Sequence, residues 1–405
     1  MADLLDKFKN IDTALGQLIH SVGCNPLAVR MDKVTSPTTA VVNGKESILF
    51  GTNNYLGLTY EEDAIEAACQ ALKECGTGTT GSRVANGSYG NHQDLEKQIA
   101  DYFGRKHAMF FSTGYQANLG FISAIAGKDD YVLIDSDSHA SIYDGCKMGD
   151  ATVIRFKHND PVDLEKRLGR LPKGSNKLVI VEGIYSMLGD KAPLKEICEA
   201  SKLHDAYVLV DEAHSLGVLG ETGRGLVEEA GVGGDVDFII GTFSKSVGTI
   251  GGFCVSNHPA LESLRVVARS YMFTASPPAS IIASASVNLK HMDHRPELMT
   301  TLWRNADIFY NGLKEIGYKV GPHKTPVIGV MMPSIEAGLI VWQTLLENGI
   351  YVNLALPPAT PSGMCLLRTS VCAAHTEDQL RTGLDAYAKA MIAMQNAEDM
   401  LLAAE

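Results

Sequence analysis

Lys245 stands in "GTFSKSVGTIGGF" (241–253), a turn rich in glycine and hydroxyl groups, and not on an exposed helix. Asp211 and His214 stand where the apolar run "YVLVD" (207–211) gives way to "EAH". Burying a carboxylate without a partner is costly, so Asp211 demands a cation or a donor. A lysine is most often a solvated charge. One held in a partly desolvated turn loses its proton more readily and becomes an amine nucleophile. Thr242, Ser244 and Ser246 surround Lys245, and hydroxyls combined with loop amides are a usual means of holding a phosphate.

An amine for a Schiff base, an acid for a ring nitrogen and a phosphate cradle are together what pyridoxal 5′-phosphate requires. In that reading Asp211 keeps the pyridinium protonated, and its negative charge is paired with a cation. The separation of Asp211 and Lys245 suits adjacent strand ends joined by one crossover. His214, three residues after Asp211, could approach the ring hydroxyl, and His139, after "DSDS", could stack on the ring. For His139 the plain alternative is a capping or core histidine, and for Tyr115 of "STGY" it is a packing aromatic.

The elements that must position these residues are legible as alternating strands and helices. "AMFF" (108–111), "YVLID" (131–135), "TVIRF" (152–156), "KLVIVEG" (177–183), "YVLVD" (207–211), "DFIIGTF" (237–243) and "GGFCVS" (251–256) read as strands. Amphipathic stretches such as "DLEKRLGRL" and "PLKEICEASKLH" lie between them. That alternation predicts an α/β fold with a mostly parallel sheet covered on both faces. Such sheets bind ligands beyond the carboxyl ends of their strands, and the polar clusters "STGY", "DSDSH", "EGIYSMLGD", "DEAH" and "GTFSKS" all fall there. "AVVNGKESILF" reads as a hairpin turning at Asn43-Gly44. The expected division is an N-terminal helix and hairpin arm over 1–60, a large cofactor-binding domain over 61–283 and a smaller α+β domain over 284–405.

Composition narrows the function class. The chain has 405 residues, 45% hydrophobic and 20% charged, which suits a globular enzyme. A net charge of −12 argues against a nucleic-acid surface, which usually needs a basic face. The eight cysteines are scattered without a CxxC pair, as expected of reduced thiols in a cytoplasmic protein. Leu4, Phe8, Ile11, Leu15 and Leu18 predict an amphipathic helix, not a secretory signal. No uncharged apolar run approaches a membrane span. "DEAH" is also a helicase signature, but the G-x-x-x-x-G-K-[ST] phosphate loop that a helicase needs is missing. A metal hydrolase built on Asp135, Asp137, His139, Asp211 and His214 would leave Lys245 and its turn without a role; no metal is expected.

At these residues the chain resembles the α-oxoamine synthase family of fold-type I pyridoxal-phosphate enzymes. The resemblance runs from "NNYLGL" through "STGYQANLG", "DSHASIYDG", "EGIYSMLGD", "DEAHSLGVLG", "TFSKSVGTIGGF" and "FTAS" to "LLRTSV". "GSRVANGS", "YSMLGD" and "TFSKSVGT" are most similar to the bacterial members that join L-serine to palmitoyl-CoA. The ketobutyrate ligases, oxononanoate synthases and aminolevulinate synthases tend to read "SMDGD" and "TLGKA" at the last two. The resemblance implies a homodimer with the active site at the interface, and a decarboxylative condensation of L-serine with a long-chain acyl-CoA. It implies that Lys245 carries the cofactor and moves the Cα proton, that Arg368 of "LLRTS" holds the substrate carboxylate, and that His139 stacks on the ring and helps to orient that carboxylate. It further implies that backbone groups of Gly114 and Tyr115, with Thr242, Ser244 and Thr274 of the partner subunit, hold the phosphate. Ser186 and His214 would contact the ring hydroxyl, and Asn54 would reach across the interface. The lipid product allows peripheral membrane contact. One departure stands out: Leu356 precedes "PPATP", where the serine-using members tend to have an arginine. Alternatives are a glycine C-acetyltransferase, an 8-amino-7-oxononanoate synthase or a non-catalytic scaffold subunit.

Overall fold

A computed structural model describes residues 3–9, 29–357 and 363–404 and the isolated positions 16, 17, 20, 26 and 360, with side chains as far as residue 397. Its strands are β1 (Met31–Ser36), β2 (Thr39–Val42), β3 (Lys45–Leu49), β4 (His107–Phe111), β5 (Tyr131–Asp135), β6 (Thr152–Phe156), β7 (Lys177–Glu182) and β8 (Tyr207–Asp211). There follow β9 (Phe238–Thr242), β10 (Gly252–Ser256), β11 (Lys319–Val320), β12 (Val327–Met332), β13 (Ile350–Tyr351), β14 (Asn353–Ala355) and β15 (Cys365–Ser370). Ile11, Leu15 and Leu18 of the expected amphipathic helix lie outside the described residues.

All seven strands expected from the apolar runs form one sheet, in the order β4-β10-β9-β8-β7-β5-β6. The sheet is parallel from β9 to β6, while β10 runs antiparallel to both β4 and β9. Side chains alternate across it, as a period of two requires. Val179, Val181, Val208 and Val210 enter the core on one face, and Leu178, Ile180 and Leu209 enter that on the other. The first core is covered by Leu95 and Ile99 of the helix Gly90–Tyr102 and by Leu164, Leu168, Leu194 and Ile197 of the crossover helices. The second is covered by Ala117, Phe121 and Ile122 of the helix Gly114–Ile125 and by Ile142 and Cys146 of the helix Ala140–Met148. A sheet apolar on both faces is thereby removed from water.

The hairpin turns as its sequence demands. Asn43 has φ 49° and Gly44 φ 78°, the two positive values that a two-residue turn matching strand twist needs. β1 extends the hairpin on one side and β13 pairs parallel with β3 on the other, Ile350 opposite Ile48. A third sheet, β11-β12-β15-β14, is wholly antiparallel. It is packed by the helices Pro296–Ile316, Ile335–Glu347 and Glu377–Ala404. The helix Ala279–His294 places Ile282, Ala285, Leu289 and Met292 in the large core. Further on, Leu302 still belongs to the large core whereas Ala306, Phe309 and Leu313 belong to the small one. The two cores therefore meet along the helix Pro296–Ile316. Among the described residues no helix is long and apolar enough to cross a membrane.

Candidate active site

The carboxyl ends of β4, β5, β7, β8 and β9 surround a cavity of about 240 Å³. Asp211, the last residue of β8, sits opposite Glu182 of β7 and Ile240 of β9 in register. It is buried, but not stranded. Its Oδ2 accepts from Asn118 Nδ2 at 2.7 Å and its Oδ1 from the Ala213 amide at 2.9 Å. The side chain is thus held from two directions before any ligand arrives.

Asn118 Nδ2 also donates to Ser141 Oγ at 3.0 Å, and that hydroxyl lies 2.8 Å from His139 Nδ1. The Ser141 amide donates to the same nitrogen at 3.2 Å. Nδ1 is therefore an acceptor, and the ring proton of neutral His139 sits on Nε2. The His139 backbone amide donates to Glu182 Oε1 at 2.5 Å. His139 remains exposed at the cavity mouth, yet loss of surrounding water lowers its pKa, with Lys245 adding to the fall and Asp211 opposing it. Glu182 is fully enclosed, and burial, reinforced by the charge of Asp211, raises its carboxyl well above the usual range.

Lys245 lines the same cavity as Asp211 and His139. Burial lowers its ammonium from 10.5 to about 8, Asp211 pulling the other way and Arg368 adding to the fall. Across from it lies the start of the helix Gly114–Ile125. Thr113 caps it through Oγ1, which accepts from the Gln116 amide at 3.1 Å. The amides of Gly114 and Tyr115 are left beside the cavity, where a helix N-terminus favours an anion. Thr242 Oγ1 donates to Gly251 O at 2.9 Å and accepts from Ser244 Oγ at 2.8 Å. A Cβ on Gly114 would come within 2.7 Å of Thr242 Cβ, so this approach of helix to strand end requires glycine. The Tyr115 side chain is exposed and its hydroxyl donates to Asp144.

A second group of residues lies behind this cavity. His214 is buried and also lines it; its Nδ1 is 2.7 Å from the Tyr55 hydroxyl. Burial, with Lys245 and Arg368 adding, drives the His214 pKa well below the usual value. Arg368, on β15, donates through Nε to Ser186 O at 2.6 Å and through Nη2 to the Tyr55 hydroxyl at 3.2 Å. Ser186 thus contributes its carbonyl. Asn54 Nδ2 donates to Thr59 Oγ1 at 2.8 Å, while its Oδ1 is buried without a partner among the described residues. Thr274 Oγ1 accepts from Gln116 Nε2 at 3.2 Å. Lys245, Asp211, His139, His214, Gly114, Tyr115, Thr242 and Ser244 share one cavity wall; Arg368, Ser186, Asn54 and Thr274 do not reach it within this chain.

The five residues of the metal-hydrolase reading do not converge. Asp135 and Asp137 gather with His158, whose Nδ1 is 2.8 Å from Asp135 and whose Nε2 is 2.6 Å from Asp190. The cavity does fit pyridoxal 5′-phosphate: an amine, a fixed carboxylate and a cradle of amides and hydroxyls face one space. The buried Asn118 Oδ1, unpartnered among the described residues, lies beside it.

The family model for aminotransferases of class I and II matches residues 45–386. The chain belongs to that family, on its α-oxoamine synthase branch. It is 56% identical over 370 residues to the serine palmitoyltransferase of Caulobacter vibrioides, covering 91% of this chain and 92% of the relative. An 8-amino-7-oxononanoate synthase of Lysinibacillus sphaericus is 35% identical over 352 residues, 87% of this chain and 90% of that one. Among solved structures, a serine palmitoyltransferase from S. paucimobilis carrying a PLP–myriocin aldimine matches with a TM-score of 0.96 at 49% identity, covering 97% of this chain and 100% of that one. The family's fold is therefore that of this chain: a mixed, mostly parallel sheet between helices, with a smaller C-terminal sheet.

Among the site residues without an assignment from the sequence are Asn118, Ser141, Glu182 and Tyr55. Glu182 carries the same signal as Asp211, an apolar run ending in a carboxylate. Asn118 is an amide set among the small and apolar residues of "ANLGFISAI". Tyr55 gives no such sign, because apart from the neighbouring Asn53 its partners are 159 and 313 residues away.

Proposed function

We propose that this chain is a pyridoxal-phosphate-dependent C-acyltransferase that joins L-serine to a long-chain acyl-CoA such as palmitoyl-CoA. The products are 3-ketodihydrosphingosine, CoA and CO2, the first step of sphingolipid synthesis. The observation that carries the chemistry is the single cavity in which the Lys245 amine, its pKa lowered to about 8, shares walls with a fixed Asp211. The choice of substrates rests on the relatives and on the three motifs that resemble serine-using members.

Lys245 would join the cofactor covalently, Asp211 would hold the proton on its ring nitrogen, and His139 would lie against its face. His214 would meet the ring hydroxyl. The amides of Gly114 and Tyr115, the hydroxyls of Thr242 and Ser244, and Thr274 of the partner subunit would hold the phosphate. When bound, the protonated ring supplies an electron sink for the bond broken at the substrate Cα. Lys245 would take the Cα proton at Nζ; a neutral amine is required, and burial favours it. Arg368 receives the substrate carboxylate with His139 orienting it, and Asn54 acts at the interface of a homodimer. Leu356 packs against the small core, so the carboxylate relies on Arg368. We assign an arm over 1–60, a large domain over 61–283 and a small one over 284–405. The seven described cysteines are free thiols, which suits the cytoplasm, and the lipid product suits contact with a membrane surface.

An assay of four amino acids against several acyl-CoA lengths tests the reading. Product from L-serine with palmitoyl-CoA is expected. Product from glycine with acetyl-CoA and none from serine would overturn the substrate assignment in favour of a glycine-using relative. Lys245 argues against a scaffold subunit, which has no need of the amine.

A further inference from the structure

Tyr55 lies behind the cavity, between His214 and Arg368, yet neither the cofactor cradle nor the substrate contacts assign it a role. We propose that Tyr55 is a positioning residue that couples the carboxylate-binding Arg368 to the cofactor-facing His214 through one hydroxyl. The inference rests on the proposed function for the roles of those two residues and on geometry for their connection.

The Tyr55 hydroxyl is fully buried and meets three groups: Arg368 Nη2 at 3.2 Å, His214 Nδ1 at 2.7 Å and Asn53 Oδ1 at 3.2 Å. Arginine has donors only, so the Tyr55 oxygen must accept from Arg368. An oxygen that accepts from a cation becomes a better donor through its own proton. The nearest acceptor for that proton is His214 Nδ1, half an ångström closer than Asn53. Nδ1 then accepts, and the proton of the neutral imidazole is placed on Nε2. Burial, with the charges of Lys245 and Arg368 adding, opposes protonation of His214, so the ring stays neutral and its tautomer decides what it offers the cavity. Tyr55 makes it a donor. The guanidinium of Arg368 is fixed at its other side by Ser186 O at 2.6 Å, so a carboxylate arriving at Arg368 disturbs the same hydroxyl that orients His214. Substrate binding would in this way be felt at the ring hydroxyl of the cofactor.

The test uses the holoenzyme and two variants. Tyr55→Phe keeps the ring and deletes the hydroxyl. It is expected to shift the pH at which the cofactor's visible absorption changes in the resting enzyme by about one unit, and to raise the KM for L-serine roughly ten-fold while kcat falls less. Arg368→Lys keeps the charge but loses the planar fork. With no substrate present, it is expected to shift the same absorption profile, although Arg368 does not line the cofactor cavity. Should Tyr55→Phe fail to fold, Arg368→Lys carries the test alone. A resting-enzyme profile identical to wild type in Arg368→Lys, or in a folded Tyr55→Phe, overturns the coupling. A wild-type holoenzyme with no visible cofactor band would instead overturn the proposed function.

Discussion

Replacing Lys245 with Met in the cofactor-free protein tests the electrostatics of the site without any catalysis. Burial lowers the Lys245 ammonium from 10.5 to about 8. A folded pKa below the unfolded one means that the unfolded chain binds more protons between those two values, so stability rises with pH across that window. Relative to low pH, the gain is RT times the logarithm of the ratio of the two titration functions. Between pH 7 and pH 9 it amounts to about 1 kcal/mol for these pKa values. Lys245 keeps partial exposure through the open cavity, so solvent screening makes this the upper end. Urea unfolding at fixed protein concentration, at pH 7 and pH 9, gives the change for wild type and for Lys245→Met. Wild type should gain about 1 kcal/mol more than the variant over that interval. Removing the Lys245 charge also lets the Glu182 pKa rise further in the variant, which widens the difference in the same direction. Parallel responses would show that the amine is not desolvated. The same shift sets reactivity: at pH 7.5 roughly a quarter of the amine is neutral, against about one in a thousand for an unburied lysine.

Lys245→Ala should abolish turnover while leaving loosely held cofactor that gel filtration strips away; measurable turnover would exclude the mechanism. Asp211→Ala weakens the electron sink, so exchange of the serine Cα proton with solvent, followed by NMR, should slow by at least about ten-fold; unchanged exchange would contradict its role. Gly114→Ala drives a methyl group to 2.7 Å from Thr242 Cβ, and absorbance titration should show weaker cofactor binding. Equal affinity would mean that the helix start can retreat without loss.

The central sheet was readable because its strands are buried on both faces, which forces unbroken runs such as "KLVIVE" and "YVLVD". The antiparallel course of β10 was not, because direction leaves no mark on an apolar run. Residues at strand ends and in turns, such as Asp211, Lys245, His139 and Gly114, were readable because polar groups there interrupt the pattern. Those that support them were not. Asn118 holds Asp211 from a helix whose other buried positions are small or apolar, and Tyr55 meets His214 and Arg368 only through tertiary folding. β13, two residues long and paired with a strand some 300 residues earlier, had neither the length nor the local partner that makes a strand visible.

That late pairing has a consequence for synthesis of the chain. β3 leaves the ribosome early, but its neighbour β13 follows only after roughly 300 further residues, a delay of about 15–60 s at ordinary elongation rates. Throughout it the outer edge of β3 offers unpaired amides and carbonyls to any other nascent chain. Lys45 and Glu46, exposed at the start of that strand, are the kind of charges that discourage such encounters, and neutralising both should lower the soluble yield before it touches the activity of the molecules that do mature.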